Sequence, residues 1–378
     1  MKLQLILKLS KLCNLRCVYC YEYDELGQKE RMSLESLDAL VRSVGDVLER
    51  SGKYESVEFT LHGGEPLLLP QDYLQGLCEL PAKHLAPRRL KYSLSCQSNL
   101  YKLSDATLQW LKDYRISLGV SLDIAGDQRV TITGENSQGK VLDNVQRLID
   151  ARIPFGAITV LHAQNMKDAL KVYRFYNELG MDYRILPIFS QDEGVPERMR
   201  HLMISREQAL NMLKIIAIQQ LHSPSRIKVS PLYEYLVAAT LYLLGRKTVP
   251  FDPREGEWTL VVNTNGDTYN IGDQYQPEGY IGNAFRQGFE EILASPERGR
   301  SVATRLRRMG TCLECPYDSH CSRIPMVEAL ESERSYREDG ALRCGLARPM
   351  IEFLVDEIRR SKVGGKLIDE TLALQPSV

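Results

Sequence analysis

Three cysteines near the start of the chain have the spacing of a metal or cluster site. In the segment "KLCNLRCVYC", Cys13, Cys17 and Cys20 bring three thiols within reach of one inorganic centre. Structural zinc normally has four protein ligands, and the neighbouring sequence offers no fourth Cys or His. Cysteine thiolates at short spacings also hold iron-sulfur clusters, and a cubane with three cysteines leaves one iron open to another ligand. The spacing therefore favours an iron-sulfur cluster, with zinc as the alternative.

A second cysteine group lies near the C-terminal end of the chain. It consists of Cys312, Cys315, Cys321 and Cys344. Four cysteines can close a zinc site, with His320 as a spare ligand, or they can hold a second cluster. The remaining cysteines, Cys78 and Cys96, belong to neither group, and we expect them to be buried apolar residues.

The composition is that of an ordinary globular protein. The chain has 378 residues, of which 43% are hydrophobic and 26% charged, and its formal net charge is -1. Such a charge does not favour binding to nucleic acid or to an anionic membrane. No apolar run reaches the roughly 18 residues of a membrane span, and the first residues do not form a secretory signal. We therefore expect a cytoplasmic protein, in which nine cysteines bind metal or take part in catalysis rather than form disulfides.

Alternating strands and helices in the first half would position the first cysteine group. Apolar, β-branched runs predict strands over 3–9, 56–63, 90–97, 116–123, 155–161 and 183–189. Amphipathic segments predict helices over 33–50, 104–114, 141–152 and 166–180. Ser33 and Ser104 are placed as N-caps, and Gly180 as a helix end. Six such repeats imply an α/β fold, a partial (β/α)6 TIM-like barrel whose functional loops follow the strands.

The pattern changes after about residue 190. Helices are predicted over 205–222 and 230–245, and a linker over 249–257. Two short strands are predicted around Asn265-Gly266, because this dipeptide favours a hairpin turn. A helix over 348–361 and a disordered tail are predicted to complete the chain.

The motifs at the strand ends resemble those of the radical S-adenosylmethionine (radical SAM) enzymes. "CNLRCVYC" is similar to the family's cysteine motif, and "HGGEP" to its glycine-rich segment, where glycine permits close backbone approach to SAM. "QSN" and "SLD" stand where the family holds the ribose and carboxylate. The resemblance covers about residues 1–190. It implies these cofactor-binding residues: Tyr19, Gly63, Gly64, Glu65, Gln97, Asn99, Ser121, Asp123 and Arg129.

The resemblance also implies a chemistry. Cys13, Cys17 and Cys20 would hold a [4Fe-4S] cluster, and the amino and carboxylate groups of SAM would occupy its open iron. One electron, from a reductant such as flavodoxin or ferredoxin, would cleave SAM and give a 5′-deoxyadenosyl radical that abstracts hydrogen from the substrate. Arg129 is the expected partner of the SAM carboxylate.

The C-terminal cysteines resemble the outer auxiliary site of the SPASM extension, found on radical SAM enzymes that modify peptides. The resemblance implies that they hold a second [4Fe-4S] cluster. The hairpin region has no cysteine, and Pro325 stands where a last inner-cluster ligand would fall, so we expect no inner cluster. Asp273 falls near the sequence position of the acidic residue that accepts a proton in some relatives. The alternative is that Asp273 is simply an acidic residue of a turn.

We thus predict a radical SAM oxidoreductase that installs a cyclophane-type crosslink in a ribosomally made precursor peptide. The alternatives are a sulfatase-type formylglycine maturase, another radical SAM dehydrogenase or epimerase, and a zinc-stabilised binding protein. The predicted domains are a radical SAM barrel (1–190), bridging helices (191–250), a smaller SPASM-like domain (251–350), and a C-terminal helix and tail (351–378).

Overall fold

The computed structural model describes residues 1–188, 194–222, 227–330 and 334–360. Contacts between residues divide the chain into two compact units. The first unit consists of Met1–Asp123, Asp127–Ala157 and Pro253–Thr304. The second contains the described residues of Ile124–Gly126, Ile158–Asp252 and Arg305–Val378. The tail predicted after residue 360 lies outside the described residues.

The first unit is built on a mostly parallel sheet. Its strands follow the order β10-β9-β8-β1-β2-β3-β4. Strands β1 to β4 pair in parallel with their sequence neighbours, and β8 pairs in parallel with β1. Strand β9 pairs antiparallel with both β8 and β10. The strands are β1 (Lys2–Ser10), β2 (Ser56–Gly63), β3 (Lys91–Ser98), β4 (Ser117–Ser121), β8 (Thr259–Val262), β9 (Asp267–Asn270) and β10 (Tyr280–Asn283).

Helices follow the parallel strands along the chain, as parallel connections require. Those of the first unit are α1 (Leu34–Ser51), α2 (Gln71–His84), α3 (Asp105–Asp113), α4 (Gln138–Asp150) and α8 (Phe289–Leu293). Ser33 and Ser104 accept hydrogen bonds from backbone amides of the first turns of α1 and α3, both at 3.0 Å. Both predicted N-caps are therefore confirmed.

The second unit is largely helical. Strand β5 (Phe155–Leu161) begins in the first unit and ends in the second, and β6 (Tyr183–Pro187) pairs in parallel with β7 (Val229–Ser230). The helices that lie within the second unit are α5 (Ala169–Glu178), α6 (Arg206–His222), α7 (Leu232–Leu243), α10 (Ile324–Val327) and α11 (Ala347–Arg360). Helix α9 (Pro296–Leu313) runs from the first unit into the second.

The α/β fold and its mostly parallel sheet confirm the predicted fold class. All six predicted strands are present, although residue 189 of the last lies outside the described residues. Helix α2 was not predicted, since Gly76 and Pro81 interrupt its pattern. The predicted hairpin is formed by β8 and β9, with Gly266 at a φ of +89°. The domain boundaries given above stay predictions.

Alternation along β1 separates a core face from a polar face. Leu3, Leu5 and Leu7 are almost fully buried, whereas Lys8 lies on the other face, paired in register with His62 of β2. Polar side chains on this face, such as Lys8 and His62, therefore lie near the ends of β1 and β2, where the loops begin.

Candidate functional site

The first cysteine group lies in the loop that follows β1. Backbone hydrogen bonds fix this loop: Cys13 donates to the Leu26 carbonyl at 3.1 Å, and Cys20 donates to the Cys17 carbonyl at 3.0 Å. A later segment braces it, since Val18 donates to the Gln128 carbonyl at 3.0 Å. The three cysteines belong to one small cluster of apolar contacts. The predicted grouping of these thiols is thus present in the structure.

Burial raises the pKa of all three of these thiols. Burial, together with the charges of Glu65 and Cys17, raises the pKa of Cys13 to about 11, and burial together with the charge of Cys17 raises the pKa of Cys20 to about 12. Burial also raises the pKa of Cys17, while the Arg129 guanidinium opposes this rise. Metal sites bind the deprotonated thiolate, so cluster insertion would release these protons.

No three His, Cys, Asp or Glu side chains of the described residues are arranged around a point that could hold a single metal ion.

The glycine pair after β2 packs against the cysteine loop. A Cβ atom on Gly63 would lie 2.1 Å from the Ser10 carbonyl oxygen, and one on Gly64 would lie 2.3 Å from those of Lys11 and Leu12. Gly63 also has a φ of +134°, which side chains rarely allow. The close approach found at these glycines is to the chain's own backbone, and the predicted approach of this backbone to SAM stays a prediction. These glycines let the end of β2 lie against the residues that precede Cys13.

Glu65 joins the ends of β2 and β3. Its carboxylate accepts hydrogen bonds from the Asn99 amide at 2.6 Å, and from the Leu67 amide and the Ser98 hydroxyl, both at 2.9 Å. The side-chain amide of Asn99 donates to Asn14 at 2.9 Å and reaches the Cys13 sulfur at 3.6 Å. Asn99 therefore lies beside the cysteine loop, and its contact with the cofactor stays a prediction.

Gln97 and Ser121 meet across neighbouring strands. The Gln97 amide donates to the Ser121 hydroxyl at 2.9 Å. Gly119 is required beside them, because a Cβ there would lie 2.2 Å from the Gln97 side-chain oxygen. The ends of β3 and β4 thus present one amide and one hydroxyl together.

Arg129 provides a buried positive charge beside the cysteine loop. Its guanidinium donates to the Tyr19 phenol at 3.1 Å, and that phenol donates to the Asp123 carboxylate. The Arg129 Nε is buried and has no hydrogen-bond partner among the described residues. An unpartnered guanidinium nitrogen next to Cys17 fits an anionic group such as the carboxylate of SAM.

The second cysteine group gathers in the second unit. Cys312 lies near the end of α9, in an apolar cluster against which Cys344 packs. Cys312 also interacts electrostatically with Cys315 and Cys321. The Cys344 sulfur accepts the Arg348 amide at 3.2 Å, near the start of α11, where the helix dipole stabilises a thiolate.

His320 and Asp273 were also singled out in the sequence. His320, the alternative zinc ligand, directs its Nδ1 to the Arg246 carbonyl at 2.7 Å. Asp273 is buried in the turn after β9, where its amide donates to the Asn270 side chain at 2.9 Å. Asp273 belongs to the first unit, like the first cysteine group.

A buried ionic network escaped the sequence analysis. It consists of Lys8, Lys11, Tyr21, Glu22 and Tyr275. A lysine at an alternating position of the apolar strand β1 is the signal that could have indicated it, since buried lysines need partners.

Comparison with known families identifies the first half of the chain. The family model of the Radical SAM superfamily matches residues 7–176. This range includes the three cysteines and all nine residues predicted to bind the cofactor.

Curated relatives are enzymes that mature sulfatases. A serine-type anaerobic sulfatase-maturating enzyme of Bacteroides thetaiotaomicron is 24% identical over 332 residues, covering 82% of this chain and 79% of that protein. A cysteine-type anaerobic sulfatase-maturating enzyme of Clostridium novyi is 26% identical over 191 residues, covering 48% of this chain and 49% of that protein. The chain thus matches about half the length of the second relative.

Solved structures share the fold of the chain. The structure of anSMEcpe with bound AdoMet and the Cp18Cys peptide has a TM-score of 0.75 and 17% identity, covering 99% of this chain and 100% of that chain. Streptococcus suis SuiB bound to S-adenosylmethionine has a TM-score of 0.60 and 15% identity, covering 87% of this chain and 76% of that chain. These structures show the shared fold, and the family match identifies residues 7–176 as a radical SAM domain.

Proposed function

We propose that the chain is a radical SAM peptide maturase that installs a cyclophane-type crosslink between side chains of a ribosomally made precursor peptide. The observation that carries the proposal is that the buried Cys13, the partly buried Cys17 and Cys20, and the unpartnered Arg129 Nε lie together in the segments that follow β1 and β4. This arrangement offers three iron ligands and one carboxylate partner beside them, which is what a cluster-bound SAM requires.

The residues of the chain have separate tasks in this proposal. Cys13, Cys17 and Cys20 would hold one [4Fe-4S] cluster, and the four C-terminal cysteines would hold another. When bound, the first cluster and SAM supply one-electron cleavage and hydrogen abstraction, and the second cluster supplies a one-electron acceptor. Arg129 would orient the SAM carboxylate, while Glu65 holds the strand ends that flank SAM.

Asp273 is the proposed proton acceptor. Crosslinking a side-chain carbon to an aromatic ring removes two hydrogens from the peptide, one as a hydrogen atom and the other as a proton with an electron. Asp273 is a buried carboxylate in the same unit as the cysteine loop, and such a group suits the proton transfer. Oxidation of Cys or Ser to formylglycine needs the same proton acceptor, so Asp273 does not distinguish the two products.

Different observations favour crosslinking and formylglycine formation. The hairpin region contains no cysteine, which separates the chain from full SPASM extensions and favours crosslinking. The curated relatives are sulfatase-maturating enzymes, and this favours formylglycine as the second candidate. We keep a precursor peptide and a flavodoxin- or ferredoxin-type reductant as the proposed partners.

One experiment separates these products. The protein, reconstituted with iron and sulfide under anaerobic conditions, is incubated with SAM, dithionite and either a short peptide encoded beside its gene or a sulfatase-derived peptide containing Cys or Ser. A crosslink survives tandem mass spectrometry as a linked fragment, whereas formylglycine reacts with a hydrazide probe. A linked fragment supports the proposal, and a hydrazide adduct supports the alternative.

A further inference from the structure

A buried carboxylate joins three segments of the first unit. Glu22, Lys8 and Lys11 are each at most 4% exposed. One oxygen of Glu22 lies 3.1 Å from the Lys8 ammonium and 3.0 Å from that of Lys11. The Tyr275 phenol donates to the same oxygen at 2.6 Å. Two buried ammonium groups and one partly buried phenol therefore converge on a single carboxylate oxygen of Glu22.

The network connects the cysteine loop to the turn that carries Asp273. Glu22 follows Cys20 by two residues, and Tyr275 follows Asp273 by two residues. The Lys11 ammonium donates to the Tyr275 phenol at 3.0 Å and lies 4.5 Å from the centre of its ring. The turn is thus held by a hydrogen bond and a cation–π contact to residues that flank the cluster ligands.

Tyr275 adopts a backbone conformation that such an anchor explains. Its φ is +67°, in the left-handed region that a bulky residue rarely occupies. A conformation of this kind persists when the surrounding contacts hold it in place. A second link runs alongside the first, since the Tyr21 phenol is hydrogen-bonded to the Gln274 side chain.

We propose that Tyr275 is a positioning residue, whose hydrogen bond to Glu22 fixes the turn of Asp273 relative to the loop of Cys13, Cys17 and Cys20. This inference rests on the proposed function in one respect, namely that Asp273 accepts the proton. The anchor itself is a property of the fold. Because Lys8 and Lys11 keep Glu22 charged, the bond is charge-assisted, and such bonds are stronger and more directional than neutral ones.

The test uses Tyr275→Phe in the reconstituted full chain. The variant keeps the ring against Lys11 and removes only the donor to Glu22. Tyr280→Phe is the matched control, because Tyr280 lies on β10 in the same region and contacts the Tyr269 ring. The two readouts are hydrogen exchange in residues 270–279 and the ratio of modified peptide to 5′-deoxyadenosine.

We expect Tyr275→Phe to exchange faster in residues 270–279 and to lower the product ratio about tenfold or more, the effect of losing a hydrogen bond to a charged group. Total 5′-deoxyadenosine and the electron paramagnetic resonance spectrum of the reduced first cluster should match those of the wild type. Glu22→Gln should raise exchange in the same segment. In an Asp273→Asn background, Tyr275→Phe should cause no further loss of product, because both changes act through one group.

Wild-type exchange in both variants would overturn the proposal, and so would a wild-type product ratio in Tyr275→Phe. Loss of the first cluster in Tyr275→Phe would also overturn it, since the residue would then support the cluster loop itself. If the wild-type protein modifies no peptide, the proposed function fails, while hydrogen exchange still decides whether Tyr275 holds the turn.

Discussion

The Arg129 guanidinium donates a hydrogen bond to the Tyr19 phenol at 3.1 Å, and so joins the segment after β4 to the cysteine loop after β1. The same segment braces the loop through its backbone, where Arg16 donates to the Val130 carbonyl at 2.7 Å. Arg129 therefore has a structural contact through one nitrogen and a buried Nε that has no hydrogen-bond partner among the described residues.

Arg129→Lys should weaken SAM binding about tenfold to a hundredfold, because lysine keeps the charge and loses the planar donor fork. Arg147→Lys is the control, since Arg147 pairs with exposed Asp105 on the surface of the first unit. The measurement is the dissociation constant of SAM for the reconstituted protein by equilibrium dialysis. Unchanged affinity in Arg129→Lys would remove Arg129 from the SAM site.

Gly64→Ala should lower both the thermal stability and the iron content. Its Cβ would lie 2.3 Å from two backbone carbonyl oxygens, and backbone cannot move aside without displacing the residues before Cys13. Gly139→Ala is the matched control, because a Cβ at Gly139 meets nothing within 4 Å. Iron analysis and thermal unfolding of both variants check this. A stable Gly64→Ala variant with full iron content and weakened SAM binding would instead show that the glycine faces only the ligand.

Much of this site followed from the sequence because its parts are local. The cysteine spacing and the strand that precedes it are short-range patterns, and Asn99 and Asp123 were named because the short motifs around them resemble those of the family. The parallel pairing of β8 with β1 was not predicted, since nothing local specifies a partner more than 250 residues away. The Lys11–Tyr275 contact escaped for the same reason, with 264 residues between its members.

The second cysteine group can be tested for electron transfer as opposed to scaffolding. If its cluster accepts the product electron, a soluble Cys315→Ser variant that has lost this cluster should still cleave SAM and yield little modified peptide. If the metal only stabilises the second unit, solubility and SAM cleavage should fall together, because metal-binding energy is then folding energy. The ratio of 5′-deoxyadenosine to modified peptide is measured. A wild-type ratio with normal peptide yield would rule out the electron-acceptor role.

His162 should make the fold sensitive to mild acid. Burial, with a smaller effect from the charge of His201, lowers the pKa of this histidine to about 4. The unfolded chain binds this proton near pH 6.5, so stability is full above that pH and falls as the pH drops towards 4. The loss reaches about 3 kcal/mol, because each pH unit carries about 1.4 kcal/mol for one proton.

The measurement compares the thermal unfolding of wild type and His162→Asn between pH 7 and pH 5. The variant should lose less stability over this interval, and the buried His62, which is present in both proteins, cancels in the comparison. Parallel pH profiles would show that His162 does not contribute to the acid response.

The central claim is that Cys13, Cys17 and Cys20 hold the cluster that cleaves SAM. It is tested most directly by measuring 5′-deoxyadenosine from SAM and dithionite in the reconstituted protein and in the variant with all three residues changed to Ala. The account predicts that the variant produces none and loses about half of its iron, because no thiolates remain at the first site while the second group keeps its own cluster. Wild-type production of 5′-deoxyadenosine by the triple variant would contradict the account.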